Sequence, residues 1–148
     1  MLQLILLIGI PGAGKTTWAK SYCYSHPNTI LLSSDDVRLE LTGSAECNPS
    51  MNKDIYNEMR RRAKVHLIMG RNVVIDSTNV SIDEWLAYKK ICPINCLMIA
   101  KCFPVPPEEA LKRIETRLRK IPQEILEKKW SQYQKNVPSL SYFFDLLI

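Results

Sequence analysis

The apolar run Leu2–Ile8 leads directly into Gly9-Ile10-Pro11-Gly12-Ala13-Gly14-Lys15-Thr16, and no other feature constrains the fold as strongly. Every fixed position of G-x-x-x-x-G-K-[ST] is filled, and a helical pattern follows over 15–25. Such a strand–turn–helix unit turns backbone N–H groups inward around phosphate oxygens, because glycine allows the turn and the helix N-terminus adds favourable dipole. Lys15 then reaches the β- and γ-phosphates, and the Thr16 hydroxyl faces Mg²⁺. Gly9, Pro11, Gly12, Ala13, Gly14, Lys15, Thr16 and Thr17 form the expected nucleotide-binding set, with ATP as ligand and Mg²⁺ as its cation. A glycine-rich turn with no ligand is the competing reading, and motif plus context disfavours it.

The rest of the chain alternates apolar runs with helical patterns. Strands are expected at 2–8, 29–32, 72–75 and 95–103, and helices at 15–25, 36–42, 51–69, from 81 to 90, from 106, and from 122. Ser81-x-x-Glu84 reads as a capping box. Pro106-Pro107-Glu108-Glu109 reads as a helix start, with proline and acids in the first turn. Buried strands separated by helices predict an α/β three-layer P-loop NTPase/kinase fold, a central parallel sheet flanked by helices, with a helical lid at about 106–121. At 148 residues the chain is read as one domain, 1–148. The tail 139–148 is too apolar to be left in water and is expected to pack on the body.

Bulk properties exclude several classes. Hydrophobic residues make up 46% and charged residues 24%, an ordinary globular balance. No apolar run approaches the roughly 20 residues of a membrane helix. The start lacks a basic n-region and is not read as a signal peptide. Five cysteines without a zinc spacing suit a reduced, cytoplasmic chain in which most of them are small core residues. The net charge of +5 permits a polyanionic partner without requiring one. No membrane and no obligatory protein partner are expected.

In open α/β sheets the ligand lies beyond the carboxyl ends of the strands. The second strand delivers Ser33-Ser34-Asp35-Asp36-Val37-Arg38 to that edge. Asp35 and Arg38, at i and i+3, suit a general base and a cation holding the acceptor. Taken alone, the stretch is as compatible with a helix cap at Ser34 or Asp35. The third strand ends in Asp76-Ser77-Thr78-Asn79, where Asp76 has the shape of a magnesium-ordering carboxylate, or of a turn residue. Arg113 and Arg117, four apart, share one helical face over the phosphates, or form a solvated basic face paired with Glu109 and Glu115. Arg60-Arg61-Arg62 and Lys64 are read as the solvated side of the helix at 51–69.

The motifs "IGIPGAGKTTWA", "SSDDVR", "VVIDSTNV" and "FPVPPEEALKRIETR", with Pro122 and its helix, resemble the polynucleotide 5′-hydroxyl kinase family, from Leu2 to about Tyr133. The resemblance implies that Asp35 is the base for the 5′-hydroxyl and that Arg38 contacts the acceptor-side phosphate. It implies that Arg113 and especially Arg117 grip ATP phosphates and support transfer, so that Asp35, Lys15, Arg38 and Arg117 are catalytic. Thr16 and Asp76 are the metal-side residues. Single-stranded DNA or RNA 5′ ends are the implied substrate. The chain departs from the family at Ser34, where a basic residue is absent, and in the short spacing from Arg117 to Pro122. It carries no phosphatase or ligase module and is expected to act as a stand-alone kinase. Two alternatives stand beside this reading: a P-loop kinase of a small hydroxylated metabolite or nucleoside, and a P-loop ATPase or nucleotide-dependent interaction protein.

Overall fold

Strand β1 (Leu2–Ile8) is central because its apolar side chains face helices on both sides of the sheet. It pairs in parallel with β3 (Asn72–Asp76) on one flank and with β4 (Cys96–Cys102) on the other. The outer positions belong to β2 (Thr29–Ser33), beside β3, and β5 (Leu146–Leu147), beside β4. The order is β2-β3-β1-β4-β5, with every pairing parallel. The structure, a computed structural model, describes residues 1–46, 48–116 and 121–148.

Alternation along the strands divides the core between the two faces. Leu4, Leu6 and Ile8 join the larger cluster, filled by Ile55, Met59, Ala63 and Leu67 of α3 (Asn52–Ile68) and by Trp85 and Tyr88 of α4 (Ile82–Ile91). Ile5 and Leu7 face the other way, onto Ala19 and Trp18 of α1 (Lys15–Ser25). Burying one such aliphatic side chain contributes about 1.5–3 kcal/mol, so the central strand is fixed before any loop chemistry matters. The register sets Ser33 beside Asp76 and Ile8 beside Cys102, which brings the ends of four strands to one edge.

Two expectations need correction, and one is met and extended. Ser81 does occupy an extended position before α4, but its side chain makes no capping bond. Glu84 instead turns to Arg60 of α3, at 3.3 Å, which ties the two helices together. The tail does pack back, through buried Leu140 and Phe144, yet it also supplies a fifth strand. Its anchor is polar: Asp145 receives the Met98 N–H on its carboxylate and gives its own N–H to the Met98 carbonyl, both at 2.8 Å. The arginine run is paired as much as solvated, since Arg61 meets Glu58 and Arg62 meets both Glu40 and Glu58. Of the cysteines, Cys96 is buried and Cys23, Cys92 and Cys102 are half-buried; Cys47 lies outside the described residues.

Candidate active site

Glycines at 12 and 14 carry φ of +83° and +95°, a region costly for side chains with a Cβ. These two turns let the loop curl over the end of β1 and start α1 with Lys15 pointing back into the curl. Lys15 is buried, and its ammonium donates to the carbonyls of Gly9 at 2.9 Å and Ile10 at 2.7 Å. A second wall comes from β3. The Gly9 N–H donates to the Thr78 carbonyl at 3.0 Å, and the Asn79 amide donates to the Leu7 carbonyl at 2.7 Å. Asn79 sits at φ +48° and is buried; its own carbonyl accepts from the Trp85 indole at 2.6 Å. It therefore clamps the end of β3 to the end of β1, a role that its sequence neighbourhood of turn formers did not reveal.

Asp76 leaves β3 beside the loop and accepts the Thr16 hydroxyl proton at 2.7 Å. Burial pushes its carboxyl above the ordinary carboxylate range, while the Thr16 bond and the Lys15 charge pull the other way. These are hard oxygen donors of the kind Mg²⁺ takes, together with phosphate oxygens and water. Among the described residues no cluster of three acidic, histidine or cysteine side chains could hold a metal by itself.

Helix α2 (Ser34–Thr42) begins at the end of β2, level with Asp76. Ser33 is its N-cap, accepting the Asp36 N–H at 3.4 Å, so neither Ser34 nor Asp35 is used as the cap. Asp36 stays in the first turn. Arg38 is almost wholly buried, and its guanidinium donates to Asp35 Oδ1 at 2.8 Å. The Asp35 side chain remains 57% exposed, so a held carboxylate faces the cleft. The Arg38 Nε is buried with no hydrogen-bond partner among the described residues.

One cleft of about 890 Å³ collects Pro11, Gly12, Lys15, Thr16, Asp35, Arg38 and Asp76. Helix α5 (Pro107–Glu115) leans on its loop: a Cβ at Gly12 would meet the Ala110 carbonyl at 2.9 Å, and one at Gly14 would meet Arg113 Nη1 at 3.2 Å. Arg113 thus stands beside the phosphate loop, paired with Glu109 at 2.9 Å. Gly9, Ala13 and Thr17 shape the loop or its helix without lining the cleft. Arg117 lies outside the described residues. The cleft also takes Tyr56 from α3, Ile121 from the segment leading into α6 (Gln123–Asn136), and Ile125 and Lys129 from α6 itself, which motif reading missed.

The sheet order, the phosphate loop and the acid at the end of β3 define a P-loop domain of kinase type. A protein-family model described as AAA domain matches residues 4–140, and the chain belongs to that family. It is 29% identical over 160 residues to a protein of Autographa californica nuclear polyhedrosis virus, provisionally described as a bifunctional polynucleotide kinase/RNA ligase, covering 95% of this chain and 22% of the relative. It is 25% identical to the L-seryl-tRNA(Sec) kinase of Methanococcus maripaludis, covering 97% of this chain and 56% of the other. A chain in the solved Pnkp1/Rnl/Hen1 RNA repair complex superposes with a TM-score of 0.82 at 27% identity, covering 93% of this chain and 46% of that one. The deoxyadenosine kinase of M. mycoides, at 15% identity and a TM-score of 0.56, shares the fold. The resemblance to polynucleotide kinases and the α/β kinase fold expected from sequence are both borne out. This chain spans from about a fifth to just over half the length of the first three relatives. No helix among its described residues is long and apolar enough to cross a membrane.

Proposed function

We propose that this chain transfers the γ-phosphate of ATP to a 5′-hydroxyl end of DNA or RNA. The observation that carries this reading is the Asp35 carboxylate, braced by buried Arg38 and opening into the same cleft as Lys15 and Thr16. A kinase needs a base for the attacking hydroxyl and cations around the transferred group, and the cleft supplies both. Asp35 accepts the hydroxyl proton. Arg38 orients that carboxylate and presents positive charge to the acceptor-side phosphate. Lys15 exchanges its two carbonyl partners for phosphate oxygens, and Arg113 and Arg117 add charge from the lid. Thr16 and Asp76 would hold Mg²⁺, which neutralises charge on the phosphate oxygens when bound.

The test uses γ-labelled ATP with a 5′-hydroxyl DNA oligonucleotide, its RNA counterpart, a seryl-tRNA and a panel of small hydroxylated metabolites. Label on an oligonucleotide, with an acceptor KM that rises with salt, is expected. Label on neither oligonucleotide refutes the proposal, and label on a metabolite alone replaces it. Asp35→Asn should retain ATP binding and lose at least about 100-fold in transfer. Arg38→Ala should raise the acceptor KM and, because Asp35 loses its brace, also lower kcat; unchanged kinetics would remove Arg38 from the site.

A further inference from the structure

The cleft has more lining than the transfer reaction uses. The phosphate-loop residues Pro11, Gly12, Lys15 and Thr16 share it with Asp35 and Arg38. Its walls also include Tyr56 of α3, Ile121, Pro122, Ile125 and Lys129. Ile125 and Lys129, four apart on α6, lie on the same helical face, so that face offers an apolar patch followed by a cation. Lys129 and Tyr56 line the same cleft. Tyr56 lies one turn before Arg60 on α3, and Arg60 grips Glu84 of α4 at 3.3 Å. The Lys129 charge acts on that same carboxylate. The lysine therefore shares with Tyr56 the part of the cleft wall next to α3 and α4, while the next residue, Trp130, packs on Ile10 and Ala13 of the phosphate loop.

Resting on the kinase reading above, we infer that this part of the wall is a second-nucleotide subsite. Tyr56 and the Ile121–Pro122–Ile125 wall form a slot for the acceptor's terminal base, and Lys129 binds the second phosphate of the strand. The division of labour follows from position. Arg38 is bonded to Asp35, so the phosphate it meets is the one next to the reacting hydroxyl. A strand leaving past Tyr56 brings its following phosphate towards Lys129. An aromatic face opposite aliphatic side chains holds any base, because every base offers a π-face. The site therefore measures the length of the acceptor more than its sequence. Lys129 is a specificity residue and takes no part in the chemistry.

The experiment compares, in full-length protein, a nucleoside 3′-phosphate with a dinucleotide that carries both phosphates, each bearing a 5′-hydroxyl. Wild type is expected to gain roughly tenfold in kcat/KM on the second phosphate, the size of one charge-assisted contact. Lys129→Ala and Lys129→Gln should lose that gain and Lys129→Arg should keep it, while the KM for ATP stays constant in all three. A trinucleotide whose second internucleotide linkage is a neutral methylphosphonate should behave in wild type as the unmodified trinucleotide does in Lys129→Ala. The ratio of two acceptors within one variant does not depend on how much of it is folded. Tyr56→Ala should raise the KM of both acceptors alike. A wild-type gain that survives in Lys129→Ala, or no wild-type gain at all, overturns the inference. Failure of wild type to label any oligonucleotide overturns the kinase reading instead.

Discussion

Asn79 is the most economical place to test how the site is held. Its side chain donates to the Leu7 carbonyl at 2.7 Å and shares longer 3.3 Å bonds with Ile75 and Ser77, all in a buried position. Its backbone lies at φ +48°. Asn79→Ala removes the donor, at about 1–3 kcal/mol, and places a Cβ without local hydrogen bonding in the left-handed region, at about 1–2 kcal/mol more. The sum is about 2–5 kcal/mol. Asn79→Gly loses the same bonds but not the backbone term, so it should be about 1 kcal/mol less destabilised than the alanine variant. Asn79→Asp sets a carboxylate against three carbonyl oxygens and should be the worst of the three at neutral pH. Urea unfolding followed by tryptophan fluorescence reads all of these, helped by the Trp85 indole bonded to the Asn79 carbonyl. A glycine variant less stable than the alanine variant, or an alanine variant within a few tenths of a kcal/mol of wild type, would refute the account of residue 79 as a strained clamp.

Gly12→Ala should destabilise by about 2–4 kcal/mol, because a left-handed backbone cost adds to a Cβ placed 2.9 Å from the Ala110 carbonyl; a denaturation midpoint near wild type would dismiss the close approach. The Arg61 and Arg62 guanidiniums pull the Glu58 carboxyl down to about 2, below its unfolded range near 4.3. Its ion pairs therefore stabilise fully above about pH 4.3 and fade as pH falls towards 2. Glu58→Gln should accordingly be slightly less stable than wild type at pH 7, with a gap that closes between these limits and narrows with salt; a gap unchanged at pH 2 contradicts it. Asp145→Ala should cost about 1–3 kcal/mol by stripping the acceptor from the Met98 N–H, with faster hydrogen exchange at that amide, whereas Asp145→Asn keeps an oxygen there and should cost less.

What the sequence disclosed and what it withheld divide along physical lines. The first four strands were legible because each is a buried apolar run with turn formers behind it. The phosphate loop was legible because its glycines and lysine are adjacent in the chain. Strand β5 was not: two residues give no period, and Leu146, Leu147 and Ile148 are about half exposed, unlike the core positions their apolarity suggested. The capping box failed because Glu84 had a tertiary alternative in Arg60. Asp35 and Arg38 were visible as a pair, but that Ser33 takes the cap and that Arg38 is buried against Asp35 depends on the packing of α2. Tyr56, Ile125 and Lys129 had no local signal, since they meet the cleft only through the packing of α3 and α6 around the sheet.

The contact between Gly12 and α5 carries a thermodynamic consequence. Helix α5, the lid in the reading proposed above, rests on the phosphate loop main chain itself, with no side chain of residue 12 between them. Nucleotide affinity and lid position are then linked functions: whatever free energy the bound triphosphate contributes to one lid position, that lid position returns to the triphosphate. Substitutions in α5 far from any phosphate should therefore change how long the nucleotide stays.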